Sequence, residues 1–427
     1  MIDTALQERE RSGTPIRVGM VGAGFAARMV ALHLSAGIPG LRLVAVAARS
    51  PEKGERVFSE AGITRTGRVS DGPALDAIVA RGGVGVAGDH HVLCDSRLLD
   101  VVIEITGTVE YGAGVVLDLL RARKHVVLVN AELDATLGPV LKTYAARQGV
   151  VITNTDGDEP GVAMTLIRYL RSIGLTPVGA GNLKGLVDHR RNPETQRAFA
   201  ATHGQDPAKV ASFADGTKLA MEATVLANAA GFGVGVRGMH GPAAHHVREM
   251  AHLLPAAELL GGGIVDYALG AEPYTGAFVI VHEPNPRKIS HMKFLKMGDG
   301  PFFVFYTPYH LPHIQIASTI ARAVLFHDAT VVAAGSPRCE VIAIAKRTLR
   351  RGDVLDGLGG FDTYGVIDTV TRARAERCLP MGLAGGCTLR NDIAQDAPLT
   401  EDDVTTPSGR TSDRLWKEQR ELPPDFR

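Results

Sequence analysis

The stretch "TDGDEPG", Thr155 to Gly161, places Asp156, Asp158 and Glu159 directly ahead of a helical pattern. Carboxylates so spaced can ligate a hard divalent ion such as Mg²⁺ or Mn²⁺, or work as an acid/base pair. They can also simply begin a helix. Asp158 suits the N-cap, and Glu159-Pro160 suits a first turn, where carboxylate and proline are both favoured. Capping accounts for Asp158 and Glu159 but leaves Asp156 without a local duty, so Asp156 and Glu159 are expected to point into a site. Lys184 follows in the glycine- and cation-rich "GAGNLKGLVDHRRNPET", and Lys218 and Glu222 stand at helical spacing in "DGTKLAMEATVLANAAG". An ammonium group can stabilise a developing alkoxide or hold an anion. A lysine and a glutamate at that spacing also make an ordinary surface pair. His240 in "RGMHGP" and His310 in "YTPYHLPHIQ", with Tyr309 beside it, sit next to glycine or proline turns and add acid/base candidates.

The frame for this chemistry starts near the N-terminus. "IRVGMVGAGFAARMVALHLSAG" reads as a buried strand, Ile16 to Val21, turning on glycines into a helix. Gly22, Gly24 and Ala27 fit the G-x-G-x-x-G/A pattern: one glycine for the tight turn, one for close approach of a pyrophosphate, one small residue for packing helix on strand. Phe25 and Ala26 then open the helix against the phosphates. The second strand, "LRLVAVAARS", ends on Ala48-Arg49-Ser50 instead of the acidic residue that suits an NAD ribose, so NADP(H) is expected over NAD(H). Arg49 could instead stack on adenine or face solvent. Thr106-Gly107, after "LLDVVIEITG", and Asn130, after "HVVLVN", end further strands and are expected near the nicotinamide. Strands alternating with helices predict an α/β fold, a doubly wound parallel sheet of Rossmann type. The strand "GVVITNT" leads into "TDGDEPG", which places that motif where ligands gather in such sheets.

Composition narrows the partners. Lys plus Arg and Asp plus Glu both number 46, so no nucleic acid or anionic membrane surface is expected as a partner. A small-molecule substrate and a homo-oligomer are expected. No apolar run approaches a membrane span, "MIDTALQERERSG" lacks the apolar core of a secretion signal, and the four cysteines form no CxxC pair. A cytoplasmic protein with free thiols is the plain expectation. From Arg338 the texture changes: "CEVIAIAKRTLRRGDVL" reads strand, tight turn, strand. Three domains are therefore expected: 1–155 for the cofactor, an α+β catalytic and oligomerisation domain over 156–335, and a small β module with a polar tail over 336–427.

Taken together, these segments resemble the homoserine dehydrogenase-like oxidoreductases that carry a C-terminal SAF module. The chain is most similar to the 1-deoxy-D-xylulose 5-phosphate reductoisomerase-like group among them. The carriers are "IRVGMVGAG", "RKHVVLVNAELDATLGP", "GDEP", "DGTKLAMEATVLANAAG", "GMHGP", "GPFFVFYTPYHL" and the SAF-like "AIAKRTLRRGDVL", spread over about Pro15 to Val404. Homoserine dehydrogenases read Ala-Asn-Lys where this chain has Val129-Asn130-Ala131-Glu132, so the lysine is missing there, which counts against homoserine. In the reductoisomerase-like segment around Lys184, only that lysine matches. The resemblance implies NADP(H)-dependent reduction of a small polyhydroxylated, sometimes phosphorylated, carbonyl compound, with Mg²⁺ or Mn²⁺ held by Asp156, Asp158 and Glu159 where rearrangement precedes reduction. Two alternatives stand beside it: a homoserine dehydrogenase-like or polyol or semialdehyde dehydrogenase without metal or rearrangement, and a non-catalytic nucleotide- and sugar-binding sensor.

Overall fold

The computed structural model describes residues 1–423. They form two compact units, and each draws on two stretches of chain: 1–157 with 311–332, and 158–310 with the described residues from 333 onward.

The first unit is built on seven parallel strands: β1 (Ile16–Val21), β2 (Leu41–Ala47), β3 (Thr66–Val69), β4 (Val84–Ala87), β5 (Val101–Glu104), β6 (His125–Leu128) and β7 (Ile152–Asn154). Their order is β3-β4-β2-β1-β5-β6-β7, so the sheet grows outward in both directions from β1. The carboxyl ends beside β1 are the switch point at which ligands bind in open α/β sheets. The strands are apolar runs because both sheet faces are covered: β5 is buried throughout, and Val18, Met20, Val46, Val101 and Ile103 are fully buried. β3 and β4 each contain a glycine, in "TGRV" and "VGVA", and carry little sequence signal.

The stretch 311–332 was expected within the catalytic domain and instead returns to this unit. The reason is an apolar face on the helix Pro312–Phe326: Ile316, Ile320 and Ala321 are fully buried and join Val30, Ala31 and Leu34 in one core.

The second unit has a mixed four-stranded sheet, ordered β11-β10-β8-β9, of β8 (Thr176–Lys184), β9 (Ile264–Leu269), β10 (Ala277–His282) and β11 (Phe302–Thr307). β8 and β9 run parallel; the other pairs are antiparallel. The helices Glu159–Ser172 and Thr217–Ala230 pack against it and against each other. A second apolar cluster, with Val247, Met250, Leu254 and Leu259, packs with Val178, Phe278 and Ile280 of the sheet.

The C-terminal β segments are part of this unit, where a separate domain over 336–427 was expected. β12 (Cys339–Ala345) and β13 (Thr363–Thr369) form an antiparallel pair that packs on the helix Thr217–Ala230. Buried polar ties fix that packing. The Lys346 ammonium donates to Asp215 (2.9 Å) and to the carbonyls of Arg191 and Gly360 (2.7 Å each). The Gly365 N–H donates to the Thr217 hydroxyl at 2.9 Å. The polar tail also orders further than its composition suggests, since a helix Thr411–Arg420 buries Leu415 and Trp416.

No helix among the described residues is long and apolar enough to cross a membrane. Cys94, Cys339, Cys378 and Cys387 are free thiols.

Candidate functional site

At the switch point of the first unit, the chain leaves β1 through Gly22, whose φ of +131° suits only glycine; a Cβ there would come within 2.8 Å of the Ile105 carbonyl oxygen. Gly24 is different. Its φ is ordinary, −76°, and a Cβ would meet nothing within 4 Å. The space in front of it is open, as a close approach of pyrophosphate requires. The helix Phe25–Ser35 starts immediately afterwards, with Ala27 fully buried and Phe25 and Ala26 half-buried. Its first amides have no carbonyl of a preceding turn to bond, which suits them to an anion. Phe25 meets His313 edge-on, ring centroids 6.2 Å apart.

Around this turn the expected cofactor residues divide. Arg49 is exposed just past β2, free of any cap role. Ser50 caps the helix Pro51–Glu60, accepting from the Lys53 N–H at 3.4 Å and donating to Glu52 at 2.8 Å. Ala48 is tied through its N–H to the Ala87 carbonyl (3.0 Å). Thr106 and Gly107, the latter at φ +64°, follow β5 directly. Asn130 does not fit the expectation of a cofactor ligand. It is fully buried, its Nδ2 donates to Glu104 (2.9 Å) and to the Thr108 carbonyl (3.0 Å), and its Oδ1 accepts from the Leu133 N–H (3.1 Å). Both amide hydrogens are then committed, so Asn130 braces the loop instead of touching a ligand.

The centre of that brace is Glu104, which the sequence reading passed over. It ends β5 fully buried and also receives the Thr106 N–H (2.9 Å) and hydroxyl. Burial raises its pKa against the pull of these donors. The available signal was an acidic residue closing the otherwise apolar "DVVIEITG".

The second unit gathers the remaining candidates. Glu159 opens the helix Glu159–Ser172, Lys184 is the last residue of β8, and Lys218 and Glu222 lie near the start of the helix Thr217–Ala230. The Lys184 Nζ donates to Glu159 Oε1 at 2.7 Å and lies 3.5 Å from Glu222 Oε2. The Lys218 Nζ lies 3.6 Å from Glu222 Oε1 and 3.9 Å from Asp158 Oδ2. Asn182 Nδ2 donates to Glu222 Oε2 at 3.3 Å. Glu222 is 2 % exposed, so the surface-pair reading of Lys218 and Glu222 does not hold.

Three carboxyl groups face two ammonium groups here, and the imbalance falls on Glu222. Burial and the Glu159 charge push its pKa well above the usual carboxyl range. Burial would push Glu159 up as well, but Lys184, His310 and a hydrogen bond from Glu222 outweigh it and hold Glu159 low. For Lys184, burial works against the charge and the two glutamates overcome it, so its pKa is raised. The stable state is a Glu159 carboxylate beside a protonated Glu222, a proton shared by a carboxyl pair.

Two expectations about "TDGDEPG" change. Asp158 occupies the N-cap position, φ −74° and ψ 153°, but its side chain makes no capping hydrogen bond and instead faces Lys218. Asp156 has the local duty that Asp158 lacks: its carboxylate accepts from the Gly157 N–H (3.0 Å) and the Ser318 hydroxyl (3.1 Å). Asp156 belongs to the first unit, whereas Asp158 and Glu159 belong to the second. The oxygens of Asp158, Glu159 and Glu222 lie within 4.8 Å of one another, so the candidate metal set includes Glu222 in place of Asp156. These are oxygen donors of the kind Mg²⁺ or Mn²⁺ takes. They fit such an ion in type and not in charge, because two ammonium groups already oppose them.

The histidines separate. His310 Nδ1 pairs with the Thr275 hydroxyl at 2.9 Å, and its field reaches Glu159. His240 Nε2 pairs with Glu258 at 2.8 Å, and its N–H donates to Asp266.

Residues 157–316 match the family model "Oxidoreductase DRL, catalytic domain", a span that includes Asp158, Glu159, Lys184, Lys218, Glu222 and His310. A comparison with curated proteins gives no match. Among solved structures, the scyllo-inositol dehydrogenase of Lactobacillus casei with bound NAD(H) and scyllo-inositol is 11 % identical, covers 75 % of this chain and 92 % of its own, and has a TM-score of 0.41. Biliverdin reductase from Synechocystis, with biliverdin and NADP⁺, is 20 % identical over 42 % of this chain and 49 % of its own, TM-score 0.29. An NAD-binding oxidoreductase from Klebsiella pneumoniae is 18 % identical over 41 % and 44 %, TM-score 0.29. The fold rests on the chain's own strand order. That order, the glycine turn and the oxidoreductase match define the class: an NAD(P)-dependent oxidoreductase of the α/β type.

Proposed function

We propose that the chain reduces the carbonyl group of a small polyhydroxylated compound with NADPH. The observation that carries this reading is the buried set of Glu159, Lys184, Lys218 and Glu222, in which a carboxyl pair holds one proton beside two ammonium groups. Reduction of a ketone or aldehyde consumes a hydride and a proton and gives an alcohol and NADP⁺. The bound nicotinamide supplies the hydride. Lys218 stabilises the oxygen as negative charge develops and passes it a proton, which Glu222, 3.6 Å from the ammonium, replaces. Lys184, held by Glu159, keeps that carboxylate ionised and so keeps the proton on Glu222. Hydroxyl groups of the substrate suit the acceptor oxygens of Asp158 and Glu159.

Arg49, exposed past the second strand, supports NADPH over NADH, because a guanidinium pairs with a 2′-phosphate. A metal-assisted rearrangement before reduction has less support, since the oxygens a metal would need are already faced by lysines. The assembly is proposed to be a homo-oligomer in the cytoplasm.

The test is kinetic. Lys218→Ala is expected to lower kcat by about 10²-fold or more, and Glu222→Gln by a similar factor, with NADPH affinity unchanged. A chelator is expected to leave the wild-type rate intact. Wild-type kcat in both variants would refute the proposed roles.

A further inference from the structure

A second group of side chains able to ligate a metal lies in the first unit, and none of them has a part in the proposed reaction. Asp89, His90 and His91 follow β4, in "GDHHVLCD". Asp89 Oδ1 lies 2.8 Å from His91 Nδ1 and 3.3 Å from His90 Nδ1. On the opposite edge of both rings, Asp118 Oδ2, from the helix Val109–Arg121, lies 3.2 Å from His90 Nε2 and 3.4 Å from His91 Nε2. Every imidazole nitrogen of the pair therefore faces a carboxylate oxygen.

A neutral imidazole donates from only one nitrogen, so each neutral ring would set a lone pair against an acceptor. Protonating both rings removes that conflict but sets two imidazolium cations side by side, centroids 4.2 Å apart and planes tilted by 34°, one of them on the buried His90. A divalent ion resolves both problems at once. With Nε2–H donated to Asp118, both Nδ1 lone pairs and the Asp89 carboxylate converge on one point.

We propose that His90 Nδ1, His91 Nδ1 and Asp89 Oδ1 bind a zinc-type divalent ion, with Asp118 as the outer carboxylate that fixes both imidazole tautomers. A carboxylate receiving the second N–H of a ligating histidine is the usual support of such ligands. Tetrahedral bonds of about 2.0–2.1 Å set neighbouring donors about 3.3 Å apart, the separation His90 already has from Asp89. His91 needs to open by about 0.5 Å, and as an exposed side chain it can. Two imidazoles with one carboxylate favour Zn²⁺, Co²⁺ or Ni²⁺ over Mg²⁺. Asp89 and His91 are 63 % and 60 % exposed, which leaves the remaining coordination to water. Asp118 is steadied from outside by Arg121, whose Nη1 donates to Oδ1 at 3.2 Å.

The experiment titrates the full-length protein, without a histidine tag, with Co²⁺ and follows its ligand-field absorption, with Zn²⁺ as competitor. About one equivalent is expected to bind and to be displaced by Zn²⁺. His91→Ala is expected to weaken binding at least 10-fold, and Asp118→Asn by about 10–100-fold with stoichiometry retained. Asp89→Asn provides a second ligand deletion should His91→Ala fold poorly. Glu222→Gln, in the other cluster, is expected to bind Co²⁺ as the wild type does. Absence of stoichiometric binding, equal binding by wild type and the ligand variants, or loss of binding in Glu222→Gln would each overturn the proposal.

Discussion

At the scale of single residues, the molecule's behaviour is set by carboxyl groups held away from water. Glu222 keeps its proton because the neighbouring glutamate has taken the nearer ammonium. Glu340, in β12, shows the same physics without a catalytic partner. Burial pushes it up to about 7, against the weaker pull of Arg374 and Arg420. Below the ordinary glutamate pKa both folded and unfolded chains are protonated there, and the folded state is at its best. As pH rises from about 4.5 towards about 7, the unfolded chain ionises first and stability falls by about 3 kcal/mol in all. Glu340→Gln removes this titration, so its melting temperature is expected to gain on the wild type steadily between about pH 5 and about pH 8. A constant difference across that range would mean that Glu340 is ionised in the folded protein. None of this was legible beforehand. Helical spacing singled out Lys218 and Glu222, and a cation-rich segment singled out Lys184, but which carboxyl keeps a proton depends on burial and on contacts between elements far apart in the chain.

The elements that position these groups were more legible, because their signals are local. The glycine turn, the strand before it and the helix after it follow from backbone sterics within a dozen residues. The two glycines have separable duties. Gly22→Ala puts a side chain at φ +131° against the Ile105 carbonyl and is expected to cost about 1–3 kcal/mol of stability, read as a lower melting temperature. Gly24→Ala meets nothing within 4 Å, so it is expected to keep the wild-type melting temperature while weakening NADPH binding at least 10-fold. Unaltered affinity in Gly24→Ala would place the pyrophosphate elsewhere. The start of the helix Glu159–Ser172 was equally visible, but the duty of its N-cap residue was not. Propensity predicts that an aspartate there caps; Lys218 draws the carboxylate away, and that lysine sits sixty positions further along. β3 and β4 escaped notice because a glycine interrupts each, "TGRV" and "VGVA", and leaves no continuous apolar run like those that mark the equally short β5 and β6.

For the whole molecule, the class of sheet was read correctly from alternating strands and helices, whereas the partition of the chain was not. A helix such as Pro312–Phe326 carries an apolar face but no statement of which core it joins, and here it joins the first unit. Likewise "CEVIAIAKRTLRRGDVL" reads as a small β module, yet the Lys346–Asp215 pair and the Gly365–Thr217 bond make it part of the wall behind Lys218 and Glu222. Removing one member of that buried pair, as in Lys346→Ala, is expected to cost about 3–5 kcal/mol, measured by denaturant unfolding. A change below about 1 kcal/mol would show that the pair is incidental to the packing. Cofactor choice is set at this scale too: Arg49→Asp is expected to reverse a preference for NADPH, and equal wild-type affinities for NADPH and NADH would remove the role of Arg49. The catalytic and cofactor predictions rest on the proposal that the chain is a nicotinamide-dependent carbonyl reductase, and one measurement addresses it directly. Nicotinamide absorbance is followed with NADPH and a panel of ketoses, sugar phosphates and semialdehydes, and with NADP⁺ and a panel of polyols. The account predicts turnover with at least one polyhydroxylated compound, lost by about 10²-fold in Lys218→Ala. NADPH binding with no turnover on any panel member would contradict it and leave a nucleotide-binding sensor in its place.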